Sequence, residues 1–347
     1  MPKVELHAHL NGSISEETLI KLIAKKPTDQ QEMLQKLTTH IGDGHNRTLK
    51  ECFEMFKMVH QIVNDHESIY EATCDVIDDF ANDGVVYLEL RSTPREIPEA
   101  GVTQASYVET ILQAIQDKSS TLQQIETFDP KRKPIIVRYI AAIDRRNSVE
   151  HAMQTVDIAI RMKKTGLVVG VDLSGDGSVN DARELYTVLE KALAHGLKLT
   201  LHLSEVDGLV AETSRLLDLP PQRIGHGTFI HPNFGGTEEL LLKTRKLNIP
   251  LELCPTSNVK GQVTPSYDKH HFYSWYQLEH PVVICTDDKG VFATDLSTEY
   301  QIMQKTFNLT DKMIQSLAYL SIDYIFESDS VKDRLRRYFE GWQQLNQ

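Results

Sequence analysis

Eight short runs rich in β-branched and aliphatic residues recur along the chain between longer helical patterns: Val4–His9, Val85–Arg91, Ile135–Asp144, Leu167–Leu173, Leu197–Ser204, Arg223–His226, Ile249–Cys254 and Val282–Thr286. This alternation is what a parallel sheet with crossover helices requires, and eight is the number at which such a sheet closes into a (β/α)8, or TIM, barrel. The predicted fold class is therefore α/β, with one barrel domain over residues 1–347. No repeat, low-complexity tract or Pro/Ser linker marks a second domain. Between the first two runs lies a stretch long enough for several helices. Ser13 with Glu16 has capping-box spacing before Leu19, Ile20, Leu22 and Ile23, and Pro27 stops that helix. Thr48 opens another, whose Leu49, Phe53, Phe56 and His60 share one face and are expected to lean over the barrel mouth. Residues 297–347 read as terminal helices, including Lys332–Trp342.

A formal net charge of −12 argues against nucleic acid as a partner, because the long-range field repels a polyanion. A small anionic ligand stays open if a local basic cluster can hold it. Cys52, Cys74, Cys254 and Cys285 are widely spaced and form no CxxC pair, so neither a disulfide framework nor a thiolate metal site is expected. The chain starts in a charged strand, Met1-Pro2-Lys3-Val4-Glu5, and no apolar run approaches membrane-spanning length. A cytosolic monomer with no membrane partner is expected.

Ligand-type residues stand at the C-terminal ends of the runs, where barrel enzymes build their sites. The first ends in His7-Ala8-His9, and residues two apart on a strand point to one face. The fifth ends in His202, with Glu205 three residues later. The sixth ends Gly225-His226-Gly227, whose glycines permit close approach to the imidazole, and the eighth ends in Asp287-Asp288. Each has an ordinary structural alternative: Glu205 as a helix-start acid, His226 as a core hydrogen bonder, the Asp pair as an N-cap. Those alternatives would have to hold at four strand ends together. His7, His9, His202 and Asp287 are accordingly assigned as ligands of one zinc ion, which lowers the pKa of a bound water to about 7. Glu205 is then placed to donate a proton, His226 to orient and stabilise the attacking oxygen, and Asp288 to share a hydrogen bond with the substrate ring.

The segments VELHAHLNGS, DLSGD, LHLSE, RIGHGT, ELCPTSN and CTDDKGVF resemble successive motifs of the adenosine deaminase family and run in order from residue 4 to residue 292. The resemblance implies a TIM barrel of the metal-dependent amidohydrolase type. It makes Glu205 the proton donor to a purine ring nitrogen, Asp288 the partner of another, and the Gly175 backbone N–H a purine contact. The HxE and PCxxC pattern of cytidine-type deaminases is absent.

Two residues after the second motif histidine, nucleoside-specific members usually carry Asp; here stands Asn11, whose amide can donate to a 5′-phosphate that a carboxylate would repel. Arg91-Ser92-Thr93-Pro94-Arg95 supplies guanidinium and hydroxyl groups suited to phosphate oxygens and is the basic cluster sought above. Asp144 can bond a ribose hydroxyl or pair with Arg145 or Arg146, and His60 can touch the phosphate or pack in the core. His9 is assigned to substrate as well as to metal. With HAHLNGS, ELRSTPR, DRR and TDDKGVFAT, the chain resembles the adenosine-deaminase-like branch, for which the implied reaction is hydrolysis of N6-methyl-AMP to IMP and methylamine. The expected partner is a purine nucleotide. A deaminase of free adenosine, a catalytically silent purine-binding barrel and a two-metal amidohydrolase remain rivals. Against the last, the fourth strand ends Asp172-Leu173-Ser174-Gly175 without the lysine that commonly bridges two metals.

Overall fold

The computed structural model describes residues 1–28, 30, 31 and 49–346. Its eight strands are β1 (Lys3–His9), β2 (Val85–Ser92), β3 (Ile136–Asp144), β4 (Val168–Ser174), β5 (Lys198–Leu203), β6 (Arg223–His226), β7 (Leu251–Leu253) and β8 (Val282–Ile284). They pair in parallel in chain order. The sheet returns on itself just beyond β8: Asp287 N–H donates to His7 O at 2.8 Å and His9 N–H donates to Asp287 O at 3.0 Å. The predicted barrel is therefore present, nearly closed, and its closing seam passes through three of the candidate metal ligands, His7, His9 and Asp287.

The strands are buried on both faces, as parallel strands covered by helices must be. On the outer face Val4, Leu6, Val86, Leu88 and Leu90 join the hydrophobic core. The inner face differs from the aliphatic filling usual in such barrels. Glu89, Arg91, Asp172, Arg223 and Glu252 are all fully buried there and form one ion-pair ladder, to which the buried Thr200 hydroxyl adds a hydrogen bond on Glu252. Arg223 bridges Glu89 and Glu252 at 2.5 Å each, and Arg91 bridges Glu252 at 3.0 Å and Asp172 at 3.5 Å. Burial opposes ionisation of Glu252, but Arg91 and Arg223 outweigh it and hold the carboxyl well below its usual range.

Helices α1 (Glu16–Ile23), α2 (Leu49–Ile62) and α3 (His66–Asn82) lie between β1 and β2, as the long insertion predicted. The cap of α1 is Ser15, whose hydroxyl accepts from Thr18 N–H, rather than Ser13. Ser13 belongs to a tight turn, Asn11–Ser13, that carries the chain off β1 before the helix can begin. Thr48 lies outside the described residues, but Cys52, Phe56 and His60 of α2 do line the barrel mouth. Helices Leu296–Phe307, Asp311–Leu320 and Asp329–Leu345 end the chain. Among the described residues no helix is long and apolar enough to cross a membrane.

Candidate active site

At the C-terminal end of the barrel opens a cavity of about 460 Å³. Its walls include His9, Asn11, His60, Ser92, Thr93, Pro94, Asp144, Gly175, His202, Glu205, His226, Asp287 and Asp288. His7 lies beneath this floor, fully buried. Three strand ends turn sharply to present these side chains. Ser204, His226 and Asp287 have φ of +50°, +59° and +63°, a left-handed conformation that costs a non-glycine residue about 1–3 kcal/mol and that clusters at functional sites.

The floor is built for a cation. His7, His202, His226 and Asp287 offer ligand atoms within 4.8 Å of one another. His9 Nε2 is 3.2 Å from His202 Nε2 and 3.4 Å from Asp287 Oδ1, and His7 Nε2 is 3.2 Å from the same oxygen. Two donors each about 2.0–2.1 Å from one tetrahedral ion stand about 3.4 Å apart, so these separations fit neighbouring ligands of a metal. His7 Nε2, although close to Asp287, forms no aligned hydrogen bond, as befits two groups aimed at a shared third point. Partners on the far side set the tautomers: His7 Nδ1 donates to Glu252 at 2.7 Å and His202 Nδ1 to Asp172 at 3.0 Å, leaving both Nε2 lone pairs directed inward. Burial and Arg91 disfavour a proton on His7, yet Asp287 and Glu252 outweigh them and raise it to about 9. Two carboxylates thus flank the His7 ring, in a cluster able to hold a metal ion. Gly225 makes room for the two imidazoles, since a Cβ there would lie 3.0 Å from His7 Cε1 and 3.3 Å from His202 Cγ.

The adjacent acids are driven apart in ionisation. Burial opposes charge on Asp287, but His7, His226 and His9 hold it well below the usual range, while burial and the neighbouring Asp287 and Glu205 push Asp288 well above. Burial is also the main cause that lifts Glu205 to about 7. A charged carboxylate on the floor and two carboxyls able to carry protons beside it are the division of labour that acid–base chemistry on one substrate needs.

Comparison with known proteins places this arrangement. The adenosine deaminase family model matches residues 2–340. The chain belongs to the adenosine deaminase family. It is a deaminase that hydrolyses a purine amino group, in a family that depends on a metal. It is 50% identical to the N6-methyl-AMP deaminase of Danio rerio over 100% of this chain and 96% of the fish protein, and 51% identical to that of Homo sapiens over 97% and 92%. A solved structure of Arabidopsis ADAL complexed with IMP, 36% identical, superposes with a TM-score of 0.88 over 99% of this chain and 97% of that one.

Every residue assigned to substrate in this deaminase lines the cavity, but several are also engaged within the protein. The Arg91 guanidinium turns down into the barrel, donating to Leu6 O and pairing with Glu252 and Asp172, and the residue is 0% exposed. Two buried carboxylates thus hold Arg91 from below, while its Nε and Nη1 make no aligned hydrogen bond. Ser92 is tied to Tyr139, whose Oη donates to Ser92 O at 3.0 Å and accepts from the Ser92 hydroxyl at 2.9 Å. Asp144 pairs with Arg146, its Oδ1 2.9 Å from Nε, whereas Arg145 pairs with Glu212 at 2.6 Å. Asn11 Nδ2 meets His60 Nε2 at 3.3 Å, so α2 and the end of β1 form one wall. Sequence reasoning offered Arg146 as a partner of Asp144 but missed Glu252 and Asp172 as site builders. An acid within the apolar run Leu251-Glu252-Leu253 was the available signal for Glu252.

Two glycines are dictated by close approach. Gly175 has φ +93°, and a Cβ on it would lie 2.5 Å from Asp144 Oδ1. At Gly12 a Cβ would stand 1.7 Å from Asp288 Oδ1. Gly12→Ala is accordingly expected to displace the Asp288 carboxyl and lower kcat/KM by about 10²-fold, the usual penalty for misplacing a reacting group by an ångström. Unchanged kinetics in a folded variant would show that Asp288 is not held against this turn.

Proposed function

We propose that this chain hydrolyses N6-methyl-AMP to IMP and methylamine with one zinc ion held by His7, His9, His202 and Asp287. The observation that carries the reading is the cavity floor, where a His/Asp cluster able to hold a metal ion lies beside two carboxyls raised toward their protonated forms. Relatives about half identical over nearly their whole length, named for that reaction, support the substrate. What zinc supplies when bound is Lewis acidity, which brings the pKa of a water molecule down to about 7. Glu205, raised to about 7 and so able to carry a proton near neutral pH, delivers it to a purine ring nitrogen as the water oxygen bonds to C6. Asp288 in its acid form donates to another ring nitrogen, and the Gly175 N–H holds the ring edge. His226 steadies the attacking oxygen. Of the two water protons one returns to Glu205 and the other reaches N6, so that breakage of the C6–N6 bond releases methylamine and leaves the 6-oxo purine.

With Arg91 engaged below, the phosphate is assigned to Asn11, His60 and Thr93 under the field of Arg95 and Arg146, which line the same mouth. The field is felt there: burial first, then Arg95 and Arg146, lower His60 to about 3. Asp144, freed from Arg146, takes a ribose hydroxyl. Steady-state rates on AMP, N6-methyl-AMP and the matching nucleosides test the reading. Monophosphates are expected to be preferred strongly, and Asn11→Asp to lower that preference about tenfold or more, because a charge-assisted hydrogen bond of about 1.5–3 kcal/mol is replaced by repulsion. Equal turnover of free adenosine by the native chain would favour an ordinary adenosine deaminase instead.

A further inference from the structure

His226 faces the cavity floor, but its far side is held by a chain of hydrogen bonds that determines where its proton sits. The Phe272 backbone N–H donates to His270 Nδ1 at 3.1 Å. A backbone amide can only donate, so His270 Nδ1 carries a lone pair and the ring proton of neutral His270 lies on Nε2. That Nε2 is 2.9 Å from Asn258 Oδ1, which accepts from it. The orientation of the Asn258 amide follows, and its Nδ2, 3.2 Å from His226 Nδ1, must donate there. His226 is left with its proton on Nε2, the atom 3.7 Å from Glu205 Oε1 and 3.8 Å from Asp287 Oδ2. The reverse orientation of the amide would set a proton of His270 against the Phe272 N–H. Neighbouring His271 holds the His226 carbonyl at 3.0 Å, which fixes the ring's anchor at its left-handed turn.

We infer that Asn258 and His270 are positioning residues that lock His226 as an Nε2–H tautomer, so that it meets the attacking oxygen as a hydrogen-bond donor and stays out of the metal's ligand set. By distance alone His226 qualifies as a ligand as well as His7 and His202 do. The difference lies in the partner on Nδ1. His7 and His202 give their Nδ1 protons to carboxylates and keep Nε2 lone pairs for the ion, whereas Asn258 gives a proton to His226 and removes that lone pair. The wrong tautomer at intact geometry is enough to disable a histidine in catalysis. The inference rests on the deaminase reading above for its kinetic consequence, and on hydrogen bonding alone for the tautomer.

The test is long-range 1H–15N NMR on the zinc-loaded, 15N-histidine-labelled chain, with the His226 signals assigned by their loss in His226→Asn. A protonated Nε2 and an unprotonated Nδ1 are expected. His270→Phe, which removes the donor to Asn258, is expected to mix the tautomers and lower kcat about 10–100-fold, with KM and zinc content unchanged. His270→Gln, whose amide N–H occupies the Nε2 position, is expected to restore the native spectrum and most of kcat. Asn258→Asp is expected to move the His226 proton toward Nδ1. A native spectrum with the proton on Nδ1, or a folded His270→Phe with native kcat, overturns the inference. If His270→Phe does not fold, the native spectrum decides alone. Failure of the native chain to turn over N6-methyl-AMP would overturn the substrate reading and leave the tautomer to the spectrum.

Discussion

Glu205→Gln is expected to lower kcat on N6-methyl-AMP by about 10²–10⁴-fold while one zinc per chain is retained. The amide keeps the shape of the carboxyl and its place in the cavity wall but carries no proton that it can deliver to the ring. Zinc should stay because Glu205 is not among the four groups whose separations fit one ion, and its nearest imidazole, at 3.7 Å, is that of His226. The pH dependence follows from burial, which raises the group to about 7. The protonated form is the competent donor, so kcat/KM of the native chain should fall as pH rises through that value, and this limb should be missing from the variant. A variant with substantial kcat, or one that loses metal together with activity, would remove Glu205 from the donor role.

The barrel and the floor of its site were legible because both rest on short-range periodicity. Residues two apart on a strand share a face, so His7 and His9 had to converge, and ligand-type residues at four strand ends could meet only at one mouth. The same alternation also put Arg91 on the face of Glu89, inside the barrel. At a strand's last turn, however, a long guanidinium can reach up to the mouth or down into the interior. The choice is made by Glu252, 161 residues away in sequence, and by Asp172, and no local pattern contains it. The cap of α1 failed for a related reason. Ser13 and Ser15 both precede acids and an apolar run, and the turn leaving β1 decides between them. The relay behind His226 left no local trace, because its members come together only when β6, the segment after β7 and the loop carrying His270 are packed.

Arg91→Ala is expected to act on stability and hardly at all on the choice between nucleotide and nucleoside. The guanidinium is fully buried between Glu252 and Asp172, which are themselves fully buried. Removing it leaves Glu252 with Arg223 and His7 and leaves Asp172 with His202 alone, and breaking a buried pair from one side typically costs about 3–5 kcal/mol. For a chain of this size that corresponds to a fall in Tm on the order of 10 °C. Metal affinity should weaken as well, because Glu252 and Asp172 orient His7 and His202, and partners of that kind are worth about 10–100-fold. Arg91→Met, which restores apolar volume without charge, should recover little, since both buried acids still lack its charge. The decisive measurement sets Tm beside the ratio of kcat/KM for N6-methyl-AMP and its nucleoside at a temperature where both proteins are folded. A native Tm with a collapsed ratio would return Arg91 to the phosphate. A lowered Tm with an unchanged ratio would place it in the ion-pair ladder that carries the metal ligands, leaving phosphate recognition to Asn11, His60, Thr93 and the field of Arg95 and Arg146.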